Sequence, residues 1–263
     1  GLTDAAEVSA GRDHTCARLK SGHLKCWGRN SARQLGAVAA TDHSTPVDVA
    51  GVTDAVEIAA GADHSCARLN SGQVSCWGRN DVGQLGDGST TSSAMPVAVA
   101  GLVDAAEIVA GRDHTCARPS SGHLVCWGDN SRGQLGDATT MNSNMPVAVA
   151  GVAAAVEVSA GRSHTCALLA TGDAKCWGRN QSGQLGSSNT TDSTSPLDVT
   201  GLTTAVEVAA GADHVCARLD TGRVHCWGRN DLGQLGNGTT ANATMPTAVS
   251  DLCAGVPRHA GLE

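Results

Sequence analysis

Apolar residues in this chain occur in short bursts separated by glycine, and nothing sustains a 3.6-residue apolar period for the length a helix needs. In the clearest stretch, Val56-Glu57-Ile58-Ala59-Ala60 reads as one strand ended by Gly61, His64 to Leu69 as a second, and Gln73 to Gly78 as a third. Asn70-Ser71-Gly72 joins the second and third, and its glycine can supply the positive φ of a tight hairpin. A fourth short strand, Val97-Ala98-Val99, follows Pro96, and the Gly/Ser/Thr-rich run from Arg79 to Met95 reads as surface loop.

The same pattern returns with a period of fifty residues. Segments beginning at Gly1, Gly51, Gly101, Gly151 and Gly201 align without insertion or deletion. The columns of Gly11, His14, Cys16, Gly22, Cys26, Trp27, Gly28, Asn30, Gln34, Leu35, Gly36 and Pro46 hold one residue type in all five copies. Recent duplication produces such identity as readily as selection, so it defines the unit and does not rank residues. Four short strands per unit point to an all-β propeller, whose four-stranded blades bury their faces on their neighbours. An open β-solenoid would need shorter rungs and atypical capping repeats.

The run His64-Ser65-Cys66-Ala67-Arg68-Leu69, then Gly72, Cys76-Trp77-Gly78-Arg79-Asn80, Gly83-Gln84-Leu85-Gly86 and Pro96, resembles the regulator of chromosome condensation repeat family. All five units carry it. The resemblance implies a propeller of blades of about fifty residues, most often seven of them. With five units, the expectation is a five-bladed ring over residues 1–250 (repeats 1–50, 51–100, 101–150, 151–200 and 201–250), followed by a tail at 251–263. Unit one lacks a preceding Pro-Val-x-Val strand, whereas the last unit ends in Pro246-Thr247-Ala248-Val249. Pairing of that last strand beside Val8 in the first blade would latch the ring shut and offset the blade boundary from the repeat boundary.

Composition constrains the core. The chain has 33 Gly, 11 Cys and 5 Trp but no Phe or Tyr, so bulk must come from Val, Leu, Ala, Trp and sulfur. Ten cysteines fall in two columns as Cys16 with Cys26, Cys66 with Cys76, Cys116 with Cys126, Cys166 with Cys176, and Cys216 with Cys226. A hairpin centred on Ser21 sets residue 16 opposite residue 26, close enough for a disulfide with local twist. Five intra-blade disulfides are therefore expected, each worth on the order of 3 kcal/mol in the chain-entropy estimate. Disulfides at this density imply an oxidising, extracytoplasmic location. Typical members of the similar family carry an aliphatic residue at these positions, so the chain reads as a disulfide-containing, secreted bacterial variant.

The competing reading of His14, Cys16 and Cys26 is a metal site. Three ligands per blade are one short of structural zinc, and disulfide partners account for every paired cysteine, so no metal or cofactor is expected. Cys253 is left over: unpaired, or cross-linking chains that would otherwise be monomers.

Charged residues make up 16% and the net charge is -7, scattered singly, which argues against nucleic-acid binding. No apolar run approaches the roughly 18 residues of a membrane span, and no charged-then-apolar leader opens the chain.

Candidate chemistry lies in the repeated polar columns. His14, His64, His114, His164 and His214 stand beside Asp13, Asp63, Asp113 and, in unit five, Asp213. An enzyme using this Asp-His pair is the least favoured reading, because five equivalent copies suit a hydrogen bond closing a turn better than one asymmetric catalytic site. Glu7, Glu57, Glu107, Glu157 and Glu207 must find donors, either backbone N–H groups of the neighbouring blade or a shared cation in the channel. Asn30 and Gln34 should brace loop backbone. Binding is expected where units differ: Arg29, Arg79, Asp129, Arg179 and Arg229, the Ser/Thr/Asn-rich loops, and hairpin tips such as Lys20 and His23.

The resulting expectation is a non-enzymatic, secreted or surface-exposed propeller that scaffolds protein interactions. The family resemblance implies protein partners, namely a small nuclear GTPase and chromatin for its namesake and a β-lactamase for a bacterial relative. Neither role transfers residue by residue, since units of uniform length leave no room for the protruding segment of the exchange factors. A multivalent carbohydrate-binding propeller is the alternative, and a designed or consensus repeat protein without natural function the lesser one.

Overall fold

The computed structural model describes residues 2–250, and their regular structure is all strand. The tail with Cys253 lies outside the described residues. Unit one forms β1 (Ala5–Ala10), β2 (His14–Leu19), β3 (Leu24–Gly28) and β4 (His43–Asp48). Unit two forms β5 (Ala55–Ala60), β6 (His64–Leu69), β7 (Val74–Gly78) and β8 (Ser93–Ala98). Unit three forms β9 (Ala105–Ala110), β10 (His114–Pro119), β11 (Val125–Gly128) and β12 (Ser143–Ala148). Unit four gives β13 (Ala155–Ala160), β14 (His164–Leu169), β15 (Ala174–Gly178) and β16 (Ser193–Asp198), and unit five β17 (Ala205–Ala210), β18 (His214–Leu219), β19 (Val224–Gly228) and β20 (Ala243–Ala248). Each unit is one four-stranded antiparallel sheet with its strands in chain order.

The hairpin register matches the sequence reading. Cys16 pairs with Cys26 and Cys66 with Cys76 across the turn, and Gly72 sits at φ 83°. A Cβ there would meet the Thr53-equivalent carbonyl of the next unit, Val103 O, at 2.8 Å, so only glycine fits. The fourth strand is longer than its apolar pattern suggests, since β8 begins at Ser93 and runs through Pro96. It lies at the sheet edge, where proline's missing donor can face outward, and a bulge opposite Trp77 absorbs the register change.

The core lies between sheets. Packing passes from β1 and β2 to β5, from β5 and β6 to β9, from β9 and β10 to β13, and from β13 and β14 to β17. At the first junction, the Cys16–Cys26 disulfide, Leu24, Leu35 and Val49 meet Ile58, Ala67 and Trp77 of the next unit. The other three junctions repeat this arrangement around Trp127, Trp177 and Trp227. Each of these indole N–H groups donates to a glutamine carbonyl of the preceding unit, Trp77 to Gln34 O at 2.9 Å and Trp127 to Gln84 O at 3.0 Å. Sulfur and tryptophan thus supply the bulk that Phe and Tyr would otherwise give.

The expected latch does not form. β20 pairs with β19 inside its own sheet, so blade and repeat coincide and the boundary offset is absent. Each unit already contains all four strands, and pairing with a strand a few residues away closes a far shorter loop than pairing with Val8 would. Among the described residues, the fifth sheet makes no packing onto β1 of the kind that joins neighbours. Val8 is accordingly 61% exposed, whereas its counterpart Ile108 is 2% exposed.

Candidate functional site

The inner strands β1, β5, β9, β13 and β17 all end in Ala-Gly, and these ends line one cavity of about 500 Å³, so the five units surround a common axis. Beyond each end the chain turns tightly, Gly11 N donating to His14 O at 2.9 Å, and the loop after β3 docks beside this turn through Arg29 N to Asp13 O at 2.8 Å. In every unit the residues at positions 11–13 and 29 therefore lie together at the end of the sheet next to the cavity.

Of the five positions singled out from sequence, Arg229 lines the cavity, and Arg29, Arg79 and Arg179 pair with aspartates of the turns beside it. Arg29 pairs with Asp13 at 3.3 Å, Arg79 lies 3.8 Å from both Asp63 and Asp113, and Arg179 and Arg229 flank Asp213 at 3.3 and 3.6 Å. Asp129 instead turns into its own loop, accepting from Ser131 N and Oγ and from Gln134 Nε2. Sequence reasoning missed a second set. Arg12, Arg112 and Arg162 also line the cavity, and the signal was a column alternating Arg with Ala directly after an otherwise constant Gly. Arg12 makes a two-pronged contact with Asp63, at 2.8 and 2.9 Å. The Arg12 hydrogen bond holds Asp13 below its usual range, while burial pushes Asp113 up against the opposing pull of Arg112 and Arg79.

The histidines face away from this mouth. His14 Nε2 meets Ser65 Oγ at 2.8 Å, His64 meets Thr115 Oγ1 at 2.9 Å, and His114 meets Thr165 Oγ1 at 2.9 Å, each across a blade junction. Each hydroxyl donates to the same glutamine carbonyl that the tryptophan uses, so it accepts from the imidazole N–H. This corrects the expected turn-closing Asp-His bond: the imidazole is an inter-blade donor, and the aspartate belongs to the arginine mouth. Burial lowers His14 and His114 to about 4 and His64 and His164 to about 3, which keeps all four neutral at neutral pH.

Their folded pKa values lie below the unfolded value near 6.5, so this stability is fully present above pH 6.5 and is lost as pH falls toward 4. Thermal melts should show the midpoint falling from pH 7 to pH 5, as each such histidine lowers the unfolding free energy at a rate that approaches about 1.4 kcal/mol per pH unit below pH 6.5. A flat profile would contradict the buried neutral state.

A match over residues 2–261 to the sequence model of the RCC1-like domain decides the family. The chain belongs to it. Yeast RCC1 (Prp20), solved bound to Kap60, superposes with a TM-score of 0.84 at 22% identity, covering 95% of this chain and 62% of Prp20. Human WBSCR16 superposes with a TM-score of 0.84 at 24% identity, covering 94% of this chain and 67% of the human one. The ectodomain of the receptor kinase CR4 from Physcomitrella patens is more distant, with a TM-score of 0.54 at 24% identity over 85% of this chain and 50% of its own. The chain thus spans about three fifths of the length of Prp20. No curated sequence matches it.

In this RCC1-like domain the glutamate column takes the backbone option. Glu57 accepts from Ile108 N of the next unit at 3.3 Å and pairs with Arg68 at 2.7 Å, and Glu7 and Glu107 repeat both contacts. Glu207 keeps its arginine, and Glu157, with Leu168 in place of arginine, accepts from Val208 N. Those carboxylates are engaged, and the described residues contain no group of three His, Cys, Asp or Glu placed to hold a metal ion. All ten cysteines named from the columns are in disulfides. Asn30 and Gln34 brace their loop, through Leu35 N to Asn30 Oδ1 and Ala32 N to Gln34 Oε1.

One position breaks the histidine pattern. Val215 stands where other units have Ser or Thr, and His164 Nε2 is left without a hydrogen-bond partner among the described residues. Val215→Thr restores the hydroxyl and should stabilise the fold by about 1 kcal/mol, read as a raised melting midpoint. An unchanged or lowered midpoint would show that the restored bond does not form.

Proposed function

We propose that this RCC1-like domain is a non-enzymatic scaffold for a protein partner, acting outside the cytoplasm and presenting the arginine-lined mouth to that partner. The observation that carries this reading is the gathering of the variable positions, Arg29, Arg79, Asp129, Arg179 and Arg229, on one face of a frame with a disulfide in every blade. Loops that differ on a rigid, repeated support are how such frames acquire specificity. The related Prp20 has been solved with Kap60 and characterised for binding to Gsp1p and histones, which supports protein partners for the fold.

A glycan-binding role has less support, because Trp77, Trp127, Trp177 and Trp227 are fully buried and cannot stack on sugar rings. Neutral buried histidines likewise give no proton-transfer group, in keeping with a non-enzyme. The five disulfides favour an oxidising compartment. Among the described residues no helix is long and apolar enough to cross a membrane.

The test uses the full chain as bait for the extracellular proteins of its source. A combined Arg29→Ala, Arg79→Ala and Arg229→Ala variant is compared with Lys20→Ala and Arg223→Ala at hairpin tips on the opposite end of the strands. The mouth arginines are 39–44% exposed, so their ion pairs contribute little to folding. A partner held by wild type and the hairpin variant but lost by the mouth variant is the expected result. Equal capture by all three, or saturable binding of a neutral sugar in place of any protein, would overturn the reading.

A further inference from the structure

The channel mouth also contains guanidinium nitrogens that no acidic side chain among the described residues engages. Three backbone bonds chain the rim together: Ala62 N donates to Arg112 O at 2.9 Å, Arg112 N to Arg162 O at 3.3 Å, and Arg162 N to Ala212 O at 3.0 Å. Arg112 and Arg162 are thus consecutive on the rim, and both are exposed into the cavity of about 500 Å³.

Elsewhere on the rim the charges cancel. Arg12 is taken by Asp13 and Asp63, and Asp213, the acidic residue in the cavity lining, is taken by Arg179 and Arg229. At the junction of units three and four the pattern fails in two places at once. Asp129 replaces the arginine that would pair across the junction, and Ser163 replaces the aspartate it would have met. Consequently Arg162 has no ion pair and its side chain no hydrogen bond among the described residues, and Arg112 is engaged only through Nε, with Asp113 Oδ2 at 3.1 Å. Both terminal amino groups of Arg112 and the whole guanidinium of Arg162 remain as donors. The remaining acids of this junction do not compete: Asp129 is bonded within its own loop, and Asp113 is held by Arg112 and faced by Arg79.

We infer that the mouth is a binding site for a small, multiply charged oxyanion, held by Arg162 and the free end of Arg112. Guanidinium forks match the paired oxygens of phosphates and carboxylates. Apart from Arg12, Asp213 and Arg229, which are held in ion pairs, the rest of the lining is alanine and glycine, so little side-chain bulk fills the cavity, and its volume lies in the usual range of small-ligand sites. The site lies where the repeat pattern of paired charges is broken, at the junction of units three and four. It does not depend on the protein-partner reading, because a free oxyanion needs no partner.

The experiment is calorimetric titration of the full, oxidised chain with pyrophosphate and, separately, with citrate, at low and at high salt. Wild type should bind at least one of them, with affinity falling as salt rises. Arg162→Ala should weaken that binding by about tenfold or more. Arg162→Lys, which keeps the charge and loses the fork, should fall between the two. Arg223→Ala, at a hairpin tip on the opposite end, should leave it unchanged. Arg162 has no side-chain partner among the described residues, so its variants should melt as wild type does. Binding of pyrophosphate alone assigns the site to phosphoryl groups, and binding of citrate alone to carboxylates. Failure of wild type to bind either probe at low salt, or an equal loss in Arg223→Ala and Arg162→Ala, overturns the inference.

Discussion

Replacing Cys116 and Cys126 together by alanine should lower the unfolding free energy by about 3 kcal/mol, roughly a fifth to three fifths of the net stability of an ordinary domain. The bond joins residues ten apart in sequence, and the hairpin already restrains their ends, which reduces the entropic part. Against that, both sulfurs are fully buried in the junction with Trp177, so their removal also opens a cavity. The same reasoning orders the five bonds. Each of the first four disulfides is capped by the tryptophan of the following unit, whereas Cys216–Cys226 has none, and Cys216 is correspondingly half-buried. Under graded thiol treatment, alkylation and mass mapping should therefore find Cys216 and Cys226 reduced first. Uniform reduction of all five would show that burial by the neighbouring blade does not protect them. Full reduction should unfold the chain.

Trp127→Ala should cost about 3–5 kcal/mol. The indole is completely buried against the Cys66–Cys76 disulfide, Leu85 and Val99, and its N–H satisfies Gln84 O. Its removal leaves a cavity between blades that strands on both sides hold open. Trp27→Ala is the internal control. Trp27 is only half-buried, so its loss should cost less than about half as much. Chemical denaturation of the two variants gives the comparison, and equal costs would contradict the assignment of tryptophan to the junctions.

Much of this was legible in the residues alone, because the signals were local. The strands around Gly61 and Gly72, the opposition of Cys16 and Cys26, and the bracing by Asn30 and Gln34 each depend on a few adjacent positions and a hairpin register. What misled was non-local. Val249 near Pro246 looked like a free latch because sequence does not show that β19 lies ready to pair with β20. Asp13 beside His14 looked like a couple because neighbours along a chain need not point the same way. Arg12, Arg112 and Arg162 gave no signal beyond an alternating column, since only convergence on the axis turns them into a rim.

The fifty-residue period, the four strands of each unit and the cysteine pairing were determined by the sequence itself, through spacing, turn chemistry and alternation acting over short distances. Tertiary structure alone decided that four of the five disulfides pack on the next blade's tryptophan, that His14, His64 and His114 bond across junctions, and that Arg162 has no ion-pair partner among the described residues. Those outcomes depend on contacts between residues about fifty apart, which become neighbours only when one sheet buries its face on the next.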